Sequence, residues 1–157
     1  MWIEGKVSKV AGSRWWEISV PALAVFTQGT SRKDAFAMLK DAIGLLAADQ
    51  MPGLAVDVVP GDGETIFVGG ADTKALFGFL LRRQRQISGI GIQRAAAAMG
   101  SKYANAYAAY EQGKREPTLS MATTLLAAAN PAGAGAAIHF NKPRRGKTRR
   151  GASRAAV

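Results

Sequence analysis

The side chains best suited to chemistry lie between residues 93 and 114, and the chemistry they suit is contact with a nucleic acid. Asn105 can form two hydrogen bonds with the edge of an adenine base, a contact that distinguishes bases by about 1–3 kcal/mol. Next to it, Ala106 can touch the methyl group of a thymine, and Lys102 and Tyr103 can reach a base or a phosphate. This segment is therefore predicted to read bases in the major groove of DNA.

Other residues nearby suit the DNA backbone. Gln93 and Arg94 precede the base-reading segment and Lys114 follows it, and such side chains commonly contact phosphates, which fix the position of a protein on the duplex. Ser101 opens the segment and is expected to cap the helix that carries it. The predicted DNA-binding residues are Gln93, Arg94, Ser101, Lys102, Tyr103, Asn105, Ala106 and Lys114.

The carboxylates of the first half do not form the cluster that a nuclease would need. A two-metal nuclease holds its cations about 3.5–4 Å apart with closely grouped acids, whereas Glu4, Glu17, Asp57 and Glu64 are spread over four predicted strands. The chain has no cysteine and one histidine, His139, which is interpreted as an incidental loop residue. Thiolate and multi-histidine metal sites are excluded, and no catalytic residue, metal or cofactor is predicted.

Charge divides the chain into two electrostatic halves. Residues 1–70 contain 6 basic and 8 acidic residues, a net charge of −2, and residues 71–157 contain 15 basic and 3 acidic residues, a net charge of +12. The second half attracts polyanions through release of their counterions. The slightly acidic first half has no such tendency and could accept a basic protein, so the two halves are expected to bind different partners.

Hydrophobic periodicity predicts a small sheet with one helix in residues 1–70. Apolar and polar residues alternate as in half-buried strands, and Pro60-Gly61-Asp62-Gly63 is a strong turn signal. Ser31 with Asp34 three residues later resembles a capping box. The predicted elements are strands 2–10, 14–20, 54–59 and 64–68, an extended piece 25–28, and a helix 32–47 with Ala35, Leu39, Ala42, Ile43 and Leu46 on one face.

From residue 71 onward the pattern becomes helical, so a domain boundary is predicted at Gly69-Gly70. Two short helices joined through Gly100 and flanked by two longer ones are the geometry of a helix-turn-helix, and four alanines (95–98) allow the pair to cross closely. A generic four-helix bundle is the alternative. The predicted helices are 73–86, which is capped by Asp72, and then 92–98, 102–112 and 118–129.

The predicted fold class is α+β. Its parts are a sheet-plus-helix domain (1–70), an all-α domain (71–130) and a disordered basic tail (131–157), since residues 141–157 hold seven Lys and Arg and no acid. No apolar run approaches the roughly 20 residues that span a membrane, and residues 1–10 lack the core of a signal peptide. A cytoplasmic protein without a membrane partner is expected.

The helical part resembles the Cro and phage-repressor class of helix-turn-helix proteins. The matching residues are Ala95-Ala96-Ala97-Ala98-Met99-Gly100 and Tyr110-Glu111-Gln112-Gly113-Lys114-Arg115-Glu116-Pro117. The resemblance implies that Glu111 pairs with an arginine of the first helix, Arg82 or Arg85, and Tyr107 and Tyr110 are interpreted as core-side anchors. One such module makes few base contacts, so we expect two copies to bind an inverted repeat in double-stranded operator DNA.

The first part resembles the HicB antitoxin domain. The resembling residues are Trp15-Trp16-Glu17-Ile18-Ser19-Val20-Pro21-Ala22-Leu23, then Thr27-Gln28-Gly29-Thr30-Ser31, then the helix of Asp34-Ala35. A strand, Val-Pro-x-Leu, Thr-Gln-Gly and a helix in that order are characteristic of the family, and a repressor-like helix-turn-helix after them strengthens the match.

The resemblance implies an antitoxin of a type II toxin–antitoxin system. HicB-like proteins have a partial RNase H-like domain that binds a small HicA-like toxin, an mRNA interferase of double-stranded-RNA-binding type that uses a histidine, and covers its active site. Their C-terminal module represses the promoter of the pair. Because family members assemble as dimers or tetramers, a homodimer or tetramer is expected.

Two other hypotheses stay open. The chain could be a stand-alone transcriptional regulator whose first domain senses a ligand or only dimerises, or a nuclease with a DNA-binding appendage. A small neighbouring gene for a basic protein with one key histidine would favour the antitoxin, whereas metal-dependent cleavage of nucleic acid would favour the nuclease.

Overall fold

The computed structural model describes residues 1–133 and 138–144. Within them the strands are β1 (Trp2–Lys9), β2 (Trp16–Val20), β3 (Val25–Gly29), β4 (Asp57–Pro60), β5 (Thr65–Gly69) and β6 (Ile138–His139), with a short 3₁₀ turn at Pro21–Leu23. The helices are α1 (Arg32–Ala47), α2 (Thr73–Ile87), α3 (Ile92–Ala98), α4 (Ala104–Glu111) and α5 (Leu119–Ala129). The predicted α+β class is confirmed. None of the described helices combines the length and the apolar character needed to cross a bilayer.

The sheet is antiparallel throughout the described strands, and its order is β3-β2-β1-β5-β4. β6 pairs with the first residues of β1, on the side that β2 occupies further along that strand. Alternation turns one face of the sheet toward the helices, and its buried residues include Ile3, Val7, Ile18, Val20, Ile66 and Val68. The residues of the opposite face, called here the open face, include Glu4, Lys6, Glu17, Phe26, Gln28 and Asp57.

The fourth strand begins later than predicted. β4 starts at Asp57 rather than at residue 54. The N–H of Leu54 donates to the carbonyl of Met51 at 3.1 Å and closes a turn there. Leu54 therefore belongs to a turn that precedes the strand.

The start of α1 has the predicted capping pattern, except that the Asp34 side chain binds a different backbone N–H. The hydroxyl of Ser31 accepts the N–H of Asp34 at 3.0 Å. The carboxylate of Asp34 accepts the N–H of Thr30 at 2.8 Å, rather than that of Ser31. Both bonds satisfy backbone donors that the first helical turn leaves without a partner.

The buried face of α1 differs from the predicted one at its end. Ala35, Leu39 and Ile43 are fully buried as predicted, but Leu46 is 48% exposed and Ala47 is buried instead. The buried positions advance by four residues at each step, which rotates the buried stripe away from Leu46. Leu46 therefore lies outside the core.

α2 contributes to two hydrophobic clusters. Leu76, Phe79 and Leu80 pack with the sheet and α1, whereas Phe77 and Leu81 pack with residues of α3, α4 and α5. All five of these side chains are buried. α2 thus belongs to both hydrophobic clusters and connects the sheet to α3, α4 and α5.

Buried amide side chains also connect the two clusters. Gln84 is 3% exposed, and its Nε2 donates to the carbonyl of Ala22 at 2.5 Å while its Oε1 accepts from Asn130 Nδ2 at 2.9 Å. Arg83 Nε donates to the carbonyl of Leu23 at 2.7 Å. These bonds tie α2 to the turn after β2 and to the end of α5.

Gly78 lets α2 approach the end of α4 closely. A Cβ at this position would lie 2.6 Å from Met51 Cε, 2.7 Å from the Glu111 carbonyl oxygen and 2.8 Å from that of Tyr110. Gly78→Ala is expected to lower the free energy of unfolding by about 1–3 kcal/mol. In the matched change Gly44→Ala no atom lies within 4 Å of the new Cβ, and we expect a gain of about 0.5–1 kcal/mol. Urea unfolding of both variants measures the difference, and equal responses would contradict the close approach.

Most of the predicted disordered tail, residues 134–137 and 145–157, lies outside the described residues. His139, however, is not a loop residue as predicted, because it pairs with Trp2 in the sheet. Its Nε2 lies 2.9 Å from Glu4 Oε2, and its ring meets the ring of Phe67 edge-on with centroids 5.0 Å apart. A strand of two residues is too short for an alternation pattern, which explains the error.

Candidate nucleic-acid interface

Three glycines end the helices that build the candidate interface. Gly89, Gly100 and Gly113 have φ angles of 66°, 88° and 67°, a left-handed conformation that other residues rarely adopt. After each one, paired hydrogen bonds close the last helical turn as in a Schellman motif; the N–H of Ser101, for example, donates to the carbonyl of Ala96 at 2.9 Å. The glycines therefore fix where α2, α3 and α4 end.

α3 and α4 pack on each other through small residues. Ala95 and Ala96 are buried, and Tyr107 of α4 is fully buried in the same cluster. Ala97 and Ala98 are exposed, so half of the predicted alanine stretch contributes to the crossing. The prediction that Tyr107 is a core-side anchor is confirmed.

A buried ion pair fastens the end of α4 to α2. Arg85 Nη2 lies 2.7 Å from Glu111 Oε1, and Arg85 Nε lies 3.0 Å from Oε2. The hydrogen bonds that Arg85 donates to the Glu111 carboxylate raise the pKa of the guanidinium above its ordinary value. Arg85 Nη1 also donates to the carbonyl of Ile90 at 3.0 Å. Of the two partners predicted for Glu111, the structure has Arg85, while Arg82 donates to Gln50 Oε1 at 3.3 Å.

Burial gives Tyr107 an unusual titration. Its hydroxyl has no hydrogen-bond partner among the described residues. Burial raises the pKa of Tyr107 and the carboxylate of Glu111 raises it further, whereas the positive charge of Arg85 acts in the opposite direction. The neutral phenol is therefore the form that the folded protein favours.

This pKa shift predicts a loss of stability at high pH. The unfolded chain releases the Tyr107 proton near pH 10, while the folded chain retains it, so the free energy of unfolding falls once the pH rises above about 10. In Tyr107→Phe this part of the decrease should be absent, and at neutral pH the change should stay within about 1 kcal/mol because no hydrogen bond is lost. Urea unfolding measured from about pH 8 to about pH 11 tests this; a parallel decrease in both proteins would refute it.

The segment predicted to read bases starts outside the helix instead of within it. α4 begins at Ala104, and its N-cap is Tyr103, not Ser101 as predicted. The hydroxyl of Ser101 accepts the N–H of Tyr103 at 3.1 Å, before the first helical turn. Lys102 and Tyr103 therefore lie on the loop that leads into α4, and Asn105 lies in its first turn.

Most of the predicted contact residues are exposed. Tyr103 is 74% exposed, and the exposed set is Gln93, Arg94, Lys102, Tyr103, Asn105 and Lys114. Ser101 and Ala106 are half-buried. The structure brings Ser101 to Ala106 together at the leading end of α4, whereas Lys114 follows the opposite end of that helix and Gln93 and Arg94 lie in the first turn of α3. The leading end of α4 is thus accessible, backed by the buried Tyr107.

Two residues near the candidate interface, Arg115 and Gln50, are not among those predicted from the sequence. Arg115 is exposed beside Lys114, and its guanidinium carbon lies 5.9 Å from the ring centroid of Tyr110; the basic pair Lys114-Arg115 was the available signal. Gln50 donates to the carbonyls of Gly78 and Glu111. No local pattern marks Gln50, because its partners are far away in sequence.

The described residues do not group their acids into a metal site. No cluster of three or more His, Asp or Glu side chains with metal-binding spacing occurs within residues 1–133 and 138–144. Glu64 pairs with Lys6 at 3.0 Å, and Asp57 with Lys40 at 3.7 Å, on the surface. Glu17 is exposed as well, so these carboxylates lie on the surface, two of them paired with lysines, instead of around one cation.

Comparison with models of known protein families, with curated proteins and with solved structures gives no match for this chain.

Proposed function

We propose that the chain is a HicB-like antitoxin of a type II toxin–antitoxin system, which neutralises a HicA-like mRNA interferase and represses its own operon. In this proposal α2 to α5 form a helix-turn-helix domain, and the sheet with α1 forms a partial RNase H-like domain that covers the active site of the toxin. The observation that carries the proposal is the exposed leading end of α4 on a helix that the buried Tyr107 and the Arg85–Glu111 ion pair hold in place.

DNA binding is supported by the way α4 is held. Tyr107 and Glu111 anchor one side of the helix to α2, so the other side is free to enter a major groove without a change of fold. The exposed Asn105 supplies the bidentate contact to adenine, and Lys102 supplies a positive charge for phosphate. Residues 71–157 carry a net charge of +12, which adds sequence-independent attraction to the duplex.

Toxin binding is supported by the charge of the first half. Residues 1–70 have a net charge of −2, and three strands place Glu4, Glu17 and Asp57 on the open face of the sheet. An RNA-cutting toxin needs a basic surface to hold its substrate. The open face therefore suits such a surface by electrostatic complementarity.

Coexpression tests neutralisation, and a DNA-binding titration tests repression. We expect cells that express the basic protein from the adjacent gene to grow again when the full chain is coexpressed. We also expect the purified chain to bind the DNA upstream of its own gene more tightly than a shuffled duplex of the same length, with a footprint of two half-sites. Failure of rescue would remove the antitoxin function, and a footprint of a single half-site would remove the symmetric operator.

A ligand-sensing regulator is the second candidate, and a cavity favours it. A cavity of about 450 Å³ lies between α2, α5 and the residues around β6, lined mainly by apolar side chains such as Phe77, Leu119, Leu126, Ile138 and Phe140. A small apolar molecule bound there would contact both the sheet and the DNA-binding helices. A toxin-free operon whose operator affinity changes with such a molecule would favour this candidate.

A further inference from the structure

The two edges of the sheet differ in their protection against pairing with another chain. On β4, Pro60 has no N–H to offer and Asp57 carries a charge that lies 3.7 Å from Lys40 Nζ; prolines and charges are the usual means of blocking an edge. β3 has the sequence Val-Phe-Thr-Gln-Gly, without proline or charge. Its Phe26 is 66% exposed, so within residues 1–133 and 138–144 β3 is an edge strand without this protection.

Among the described residues, two of β3 have backbone groups without a partner. The N–H of Val10 donates to the carbonyl of Trp15 at 2.9 Å, and since the bonding direction alternates along a strand, the even-numbered residues of β2 face β3. Their partners in β3 are Val25, Thr27 and Gly29. The N–H and C=O groups of Phe26 and Gln28 therefore point away from the sheet.

Side chains of opposite charge close the two ends of this open edge. Before β3, the carbonyl of Ala24 accepts from Arg83 Nη2 at 3.3 Å. After β3, the N–H of Thr30 donates to the carboxylate of Asp34 at 2.8 Å. The open stretch thus has a positive group at one end and a negative group at the other.

We propose that β3 pairs antiparallel with β3 of a second copy of this chain, about a two-fold axis at Thr27. In this register Phe26 lies opposite Gln28 of the second copy, so both open residues exchange both of their hydrogen bonds. Ala24 lies opposite Thr30 of the second copy, which brings Arg83 beside Asp34 of that copy. The same alignment pairs the open backbone groups and places opposite charges beside each other. The edge is therefore complementary to itself.

The proposed pairing joins two sheets into one continuous sheet with an isologous interface. It leaves the leading end of α4 unchanged in each copy, and it does not depend on DNA or toxin binding. A monomeric chain that still binds DNA would therefore refute the pairing and leave the proposed function in place.

A cysteine placed on the axis tests the register directly, because the chain has no cysteine of its own. Facing residues of a non-hydrogen-bonded pair have Cα atoms about 4.5 Å apart, within the span of about 4.4–6.8 Å that a disulfide bridges. Thr27→Cys is expected to form a disulfide-linked dimer on oxidation, whereas the exposed Thr123→Cys of α5 should stay monomeric on a non-reducing gel. Linkage at position 123 and not at 27 would overturn the proposal.

Light scattering of the full chain during size-exclusion chromatography tests the interface itself. We expect a mass twice the 16.5 kDa of the chain. Gln28→Pro removes only an outward N–H, and Phe26→Lys sets like charges near the axis, so each should weaken dimerisation on the order of tenfold or more.

The matched control is Leu45→Lys, which makes the same kind of change at a site on α1 that is 79% exposed. This variant should dimerise as the unchanged chain does, and circular dichroism should show all three variants folded. A chain that has monomer mass throughout its concentration range, or dimers that neither Gln28→Pro nor Phe26→Lys weakens, would overturn the proposal.

Discussion

Glu111→Ala is expected to lower the free energy of unfolding by about 3–5 kcal/mol, because it leaves a largely buried arginine without its partner. The side chains of Arg85 and Glu111 are 15% and 6% exposed, and the carboxylate accepts from both Nε and Nη2. Water cannot replace these bonds at so little exposure. Urea or thermal unfolding followed by circular dichroism measures the loss.

Two controls separate burial from charge. Glu64→Ala removes a similar ion pair with Lys6, at 3.0 Å, but there the side chains are 58% and 65% exposed, and we expect a change of about 0–1 kcal/mol. The double change Arg85→Met with Glu111→Leu should recover most of the stability lost in Glu111→Ala, because apolar residues of similar size often replace a buried pair. A loss for Glu64→Ala as large as that for Glu111→Ala would show that burial does not set the effect.

Most of the helices and strands can be predicted from local sequence patterns, namely helix caps and the alternation of apolar and polar residues. Helix ends depend on neighbouring residues, so Asp72 could be identified as the N-cap of α2, where it accepts the N–H of Ala75 at 2.9 Å, and Gly100 as the end of α3. Strand alternation likewise placed β1 and β2 to within a few residues. These features need no knowledge of tertiary contacts.

The predictions that differ from the structure concern features that depend on contacts between residues far apart in sequence. β6 exists because Ile138 and His139 pair with the start of β1, more than a hundred residues earlier. The prediction for Glu111 allowed either Arg82 or Arg85; the pair forms with Arg85, while Arg82 donates to Gln50, 32 residues away in sequence. The helical pattern also extends through Lys102 and Tyr103, but the Ser101 turn holds them outside α4. Long-range pairing and competition between partners leave no trace in local periodicity.

The sequence predicts most of the exposed residues of the candidate site, but not the contacts that hold α4 against α2. Asn105, Lys102 and Arg94 are residue types that suit contacts with bases and phosphates, and all three are exposed. The support beneath them is different, since the approach of α2 to α4 requires Gly78 and the carbonyl contacts of Gln50. Such contacts follow only from the folded arrangement.

Asn105→Ala is expected to reduce affinity for the operator by roughly 5- to 150-fold, which corresponds to the loss of about 1–3 kcal/mol of base contact. Asn105 is exposed and hydrogen-bonds to no described residue through its side chain, so the fold should be unaffected. Alanine also favours a helix more than asparagine does. Fluorescence anisotropy with labelled duplexes measures the affinity, and a toxin pull-down should show unchanged binding.

The pattern of loss across duplexes distinguishes base reading from general attraction. Asn105→Ala should weaken binding to the operator and leave a shuffled duplex almost unaffected, whereas Lys102→Ala should weaken both and reduce the salt dependence, because phosphate contacts are independent of sequence. Gln112→Ala, at the opposite end of α4 and also exposed, is the matched control and should bind as the unchanged chain does. Equal losses for Asn105→Ala on both duplexes would mean that α4 meets DNA without reading it, and the assignment of its first turn to base contacts would fail.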